Sequence, residues 1–170
     1  MAVSVTKDFD KGQPYIVKKN GVPEILHGWY EANSQTMYAG EFCMSSVSAS
    51  TIIPATTGDV EILGIALRAA TNVTSGNVEI PVQLIDQDDE IYMRVTNGSG
   101  VLEDVDTSMF VGLAYDILVT ANAHTINSAD TANPKFIYLG PRLDVNGDKV
   151  LYWARFRPYY AGIATIGGKA

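Results

Sequence analysis

Alternation of apolar and polar positions with a period of two runs through the middle of the chain. In "VEIPVQLI", Val78, Ile80, Val82 and Leu84 fall on one face and Glu79, Pro81 and Gln83 on the other, as in a half-buried strand. Beyond the acids Asp86, Asp88, Asp89 and Glu90, the residues Ile91, Met93 and Val95 alternate with Tyr92, Arg94 and Thr96. This predicts two strands joined by an acidic hairpin tip. Pro81 has no N–H for a central ladder, so its strand is expected at a sheet edge.

The same grammar recurs near the C-terminus. In "PRLDVNGDKVLYWARFRP" the dipeptide Asn146-Gly147 favours the positive backbone angles of a tight turn between two apolar runs. On the second run Val150, Tyr152, Ala154 and Phe156 share one face and Leu151, Trp153, Arg155 and Arg157 the other. Further strands are expected within 60–68, 113–120 and 135–139, and Met109, Leu113 and Ile117 also fit a helical stripe. Residues 1–50 carry isolated aromatics without a sustained period, and "KKNGVPEI" holds its own turn. Aromatics are wasted in water, so this segment is expected to pack on its own barrel, a sister subunit or a larger partner. The fold class is therefore mainly β: a compact antiparallel barrel or sandwich over 51–170, with an extended N-terminal arm over 1–50.

Composition narrows the partners. The 170 residues carry a formal charge of −7, which opposes a nucleic-acid surface, where basic side chains must neutralise phosphates. Charges at Lys7, Asp8, Asp10 and Lys11 interrupt any signal-peptide core, and no apolar run is long enough to span a membrane as a helix. Synthesis in a cytoplasm is expected. Cys43 is the single cysteine, which rules out an internal disulfide and a thiolate zinc site within one chain.

Candidate chemistry is sparse. The Asp86–Glu90 acids lack the Gly and Glu positions of an EF-hand loop, and neighbouring acids in a turn diverge too far for a glycosidase pair. Asp144–Asp148 resembles a calcium-loop fragment that the turn already explains. His27 and His124 lie in polar, turn-rich contexts, and no Gly-x-Ser-x-Gly elbow, phosphate loop or dinucleotide fingerprint occurs. No catalytic residue, metal or cofactor is expected. Trp and Arg are the residues most enriched at interface hot spots, so Trp153, Arg155 and Arg157 are candidate partner-binding residues. Tyr15, Ile16, Trp29 and Tyr30 join them as side chains of an arm that would be costly to leave in water.

An extended N-terminal segment, a β body carrying "GDVEILGIALRAAT", "NVEIPVQLI", "VGLAYDI" and "KFIYLG", and a closing hairpin together resemble the capsid decoration (cement) proteins of tailed bacteriophages. The resemblance spans nearly the whole chain as a pattern. It implies a tulip-like barrel or a jelly roll, a homotrimer, and a location on the capsid exterior, where the major capsid protein is the partner and the N-terminal arm touches the lattice. It implies no enzyme, membrane or nucleic acid. The alternative is a carbohydrate- or calcium-binding β module, suggested by Trp29-Tyr30, Trp153 and the acidic turn.

Overall fold

The computed structural model describes residues 13–18, 24–31, 36–46, 51–58, 61–71, 78–120 and 123–159. Over these residues the protein is mainly β, as its alternation predicts. In chain order the strands are β1 (Tyr15–Lys18), β2 (Ile25–Leu26), β3 (Tyr30–Glu31), β4 (Thr36–Met37), β5 (Phe42–Ser45), β6 (Thr51–Pro54), β7 (Gly64–Ala66), β8 (Ala70–Thr71), β9 (Val82–Leu84) and β10 (Asp89–Thr96). A helical turn, α1 (Val105–Ser108), precedes β11 (Ala114–Tyr115), β12 (Ile117–Thr120), β13 (Ala123–Asn127), β14 (Phe136–Leu143) and β15 (Lys149–Pro158).

Two sheets face each other. The larger runs β11–β14–β15–β10–β13–β12, with β1 pairing with the first half of β10 and β13 with its last two residues. The smaller runs β2–β9–β7–β5–β6–β3. Most pairs are antiparallel; β10 with β13 and β3 with β6 are parallel. Between the sheets lies the main core, where Ile91, Met93, Val95, Phe136, Tyr138 and Phe156 meet Phe42, Ile65 and Ile85. Phe42 stacks on Phe136 with ring centroids 5.2 Å apart.

The smaller sheet also buries its other face. Cys43, Ile52, Ala66 and Val82 form a second core with Met37, Leu63, Ala70 and Ile80, partly covered by Leu26 and Trp29. Met37 and Ala70 pair across a separate two-stranded sheet of β4 and β8. Close approach is built in at Gly64, where an added Cβ would lie 2.3 Å from the Gln83 carbonyl oxygen.

Several expectations need correction. The strands around the acidic turn do not form a hairpin with each other: β9 belongs to the smaller sheet and β10 to the larger. Alternation marks a strand and its buried face, but it carries no information about which strand lies alongside. Pro81 is not in an edge strand; it immediately precedes β9, which is flanked by β2 and β7, a position where its missing N–H is tolerated. The described part of 1–50 is not an arm standing off the body, because β1 enters the larger sheet and β2, β3 and β5 the smaller one. Short strands whose side chains are shared between two cores leave no sustained period in the sequence. Residues 1–12 lie outside the described residues.

The Asn146-Gly147 hairpin is present as β14–β15, with Leu143 opposite Lys149 and Gly147 at a φ of 88°. Asp144 closes the turn by accepting N–H bonds from Asn146 and Asp148 on Oδ1, at 2.8 and 3.0 Å. The alternation expected along β15 breaks at Tyr152, whose φ of 65° places it in the left-handed region. From Trp153 onward it is regular, with Ala154 and Phe156 facing the core.

Candidate functional site: an arginine–aromatic face

Among the described residues the larger sheet packs one face on the main core, and alternation sets Tyr92 and Arg94 on β10, and Trp153, Arg155 and Arg157 on β15, on its other face. Register brings them together, since Tyr92 lies opposite Arg155 and Arg94 opposite Trp153. On the other side of β10, Tyr15 lies opposite Tyr92, and the two rings stack with centroids 5.1 Å apart. Tyr15 also reaches Trp153, at 5.8 Å.

Arg142, from β14, sits over this group. Its guanidinium carbon is 5.6 Å from the Tyr15 ring, 5.4 Å from Tyr92 and 5.6 Å from Trp153, and Arg94 lies 5.4 Å from the same indole. Such contacts within about 6 Å are attractive through the ring quadrupole. Burial raises the Tyr15 phenol above its ordinary pKa; Arg142 opposes this and Tyr92 adds to it. Trp153 is only 7% exposed, because the arginines and Tyr15 cover it. Its indole therefore anchors the arginines instead of offering a bare stacking surface.

Four arginines on this face meet one partly compensating acid, Glu90, whose Oε1 is 3.7 Å from Arg155. Among the described residues, Arg94, Arg142 and Arg157 have no carboxylate partner. On a chain of net charge −7 this is a local cationic field, suited to an acidic partner surface.

The seven expected partner residues divide. Tyr15, Trp153, Arg155 and Arg157 share the outer face, although they come from opposite ends of the sequence. Ile16 is partly buried and packs against the main core, away from the outer face. Trp29 packs half-buried on the second core, and Tyr30 is exposed on β3, in the smaller sheet. Tyr92, Arg94 and Arg142 were missing from the expectation. Their signal was the outward half of the alternation in "EIYMRV", together with an arginine before the hairpin turn.

A second surface feature is an exposed apolar loop. Phe110 and Val111 are 73% and 71% exposed, yet their backbone is fixed: Phe110 N–H donates to the Tyr115 hydroxyl at 2.9 Å and Gly112 N–H to the Tyr138 carbonyl at 2.9 Å. The loop thus holds its backbone in place while both side chains face solvent.

The other candidate chemistry is enclosed. Asp86 and Asp88 are exposed, but Asp89 and Glu90 are buried, and Asp89 Oδ2 accepts the Asp86 N–H at 2.8 Å. The cluster is thus a self-capped turn with only part of its charge in solvent. No group of three or more His, Cys, Asp or Glu able to hold a metal occurs among the described residues. His124 does not lie in a polar turn; it is fully buried on β13, with Nδ1 accepting the Phe42 N–H at 3.2 Å and Nε2 3.9 Å from Glu41. Burial pushes its pKa down to about 4 and shifts the Glu41 carboxyl up, against the Tyr38 N–H that the carboxylate accepts. Burial likewise drives the Cys43 thiol up to about 12. No family model and no curated protein matches the sequence.

Proposed function

We propose that this protein is a non-catalytic structural component of a virion, binding the exterior of a phage capsid and stabilising the lattice of its major capsid protein. The observation that supports this reading is the arginine–aromatic face: four arginines, two of them held over rings, on a chain of net charge −7. Binding of this kind needs shape and charge complementarity, not a shifted pKa. A decoration protein strengthens a shell by mass action, because it binds the intact lattice better than the broken one. Self-association as a trimer belongs to the same proposal.

Cosedimentation of the purified protein with mature capsids lacking it tests the reading. Binding is expected, together with a rise in the temperature at which the capsids break. Arg142→Glu with Arg157→Glu is expected to weaken attachment at least tenfold while the β circular dichroism is retained. No cosedimentation with the wild type would overturn the proposal. The alternative, a carbohydrate or calcium module, predicts instead a melting shift of several degrees with calcium or one member of a glycan panel.

A further inference from the structure

Antiparallel pairing of β11 with β14 sets Tyr115 opposite Phe136, and the Lys135 N–H donates to the Tyr115 carbonyl at 2.8 Å. The residues just outside that pairing, Asp116 and Lys135, are brought together with side-chain exposures of 0% and 1%. Lys135 Nζ lies 3.1 Å from Asp116 Oδ1 and also donates to the Asn133 carbonyl oxygen. Oδ1 accepts in addition the Ile117 N–H, at 2.7 Å. Oδ2 is buried and accepts no hydrogen bond among the described residues.

A permanent ion pair accounts for the 3.1 Å contact but not for Oδ2. Removing two charges from water is repaid only when the remaining lone pairs also find donors, and half of this carboxylate finds none. Burial raises the Asp116 carboxyl above its ordinary range; the Ile117 N–H and Lys135 oppose this, and the charge of Asp130 adds to it. A covalent link between the two groups would remove both charges from the interior.

We propose that Lys135 and Asp116 condense to an intramolecular isopeptide bond between Nζ and Cγ. In this step Nζ first gives one proton to the carboxyl; the amine lone pair then attacks Cγ, and the charge developing on Oδ1 is met by the Ile117 N–H, which already points at that oxygen. One amine proton passes to the protonated Oδ2, the Cγ–Oδ2 bond breaks, and Oδ2 leaves as water. No atom changes oxidation state and no co-reactant is required. The register of β11 and β14 holds the amine 3.1 Å from the carboxyl group, and this held proximity is what the proposal sets in place of chemical activation. The product keeps the useful contacts of the site: Oδ1 becomes an amide oxygen that retains the Ile117 N–H, and the amide N–H retains the Asn133 carbonyl. The oxygen that departs is the one with no partner. The bond would tie the Tyr115–Ile117 connection, which leads from β11 at one end of the larger sheet's strand order to β12 at the other, covalently to the start of β14.

The test is the intact mass of the purified, denatured full chain. Most molecules are expected to weigh one water less than the sequence requires, while Lys135→Arg and Asp116→Ala weigh their full sequence mass. Chymotryptic digestion of the wild type is expected to release a branched peptide joining the segments of Asp116 and Lys135. Should the variants fail to fold, the wild-type mass and digest decide alone. Full sequence mass after prolonged incubation, a deficit confined to a minor fraction, or a deficit mapped to another residue would each overturn the proposal.

Discussion

The two sheets solve the same packing problem in opposite ways. The larger has long strands, β10, β14 and β15, that bury one face and turn the other outward, where arginines and aromatics collect. The smaller is built from strands of two to four residues that contribute to both cores: within β5, Phe42 enters the main core and Cys43 the second. The smaller sheet is thus an inner layer, and the larger is free to carry a surface. The difference teaches where substitutions should be felt as stability and where as binding.

The sharpest test of that contrast lies on the inner layer. Phe42→Ala should cost about 3–5 kcal/mol and Ile52→Ala, on the opposite face of the same sheet, about 2–5 kcal/mol by chemical denaturation. An Ile52→Ala cost below about 1 kcal/mol would show that the second core adds little and would break the comparison. Next in size is a pH effect at the junction of the sheets. With a folded pKa of about 4 against an ordinary 6.5, buried His124 binds a proton more readily in the unfolded chain. Its contribution is intact above the unfolded value and falls as pH drops from 6.5 towards 4, by about 3 kcal/mol at most. Glu41, raised by burial, acts in the opposite sense, its contribution being lost as pH rises through its folded value. The difference between wild type and His124→Phe isolates the histidine, and equal slopes for the two proteins would refute it.

On the outer face the effects should be smaller. Arg142→Ala removes three ring contacts at a partly solvated site and should lower stability by about 1 kcal/mol in the same denaturation assay. A loss as large as that of Phe42→Ala would mean that the cluster is core and not surface. The smallest contrast lies within the acidic turn. Asp89→Ala frees the Asp86 N–H and should cost about 1 kcal/mol, whereas exposed Asp88→Asn should stay within about 0.5 kcal/mol in thermal melts.

The same difference governs how far the sequence could be read. Along β10 and the β14–β15 hairpin, one-sided burial writes a period of two into the residues, and Asn146-Gly147 marks the turn. In the inner layer the strands are short and carry apolar residues on both faces, and the run Gly64–Ala66 is buried throughout, so there is no sustained polar half to alternate with. β13 was hidden for another reason. Its His124, Thr125 and Asn127 are polar yet buried, a cost offset partly by bonds such as the 2.7 Å contact between the Thr96 and Thr125 hydroxyls, which no local pattern announces. For the candidate site, Trp153, Arg155 and Arg157 were legible as one face of one strand. Their union with Tyr15 and Arg142 depends on pairing between distant segments, and the left-handed Tyr152 shows that even a regular-looking run can shift phase.

The pairing of Tyr15 with Tyr92 also fixes an order of events during synthesis. A strand that leaves the ribosome early has its ladder partner far downstream, so it must wait, and such distant contacts close late and slowly. Even after β10 emerges, the paired tyrosines lack the indole and the guanidinium until Arg142 and Trp153 follow. A chain stopped before the final hairpin can lay Tyr15 on Tyr92 but cannot complete the arginine–aromatic face, which belongs only to polypeptides extended through Trp153.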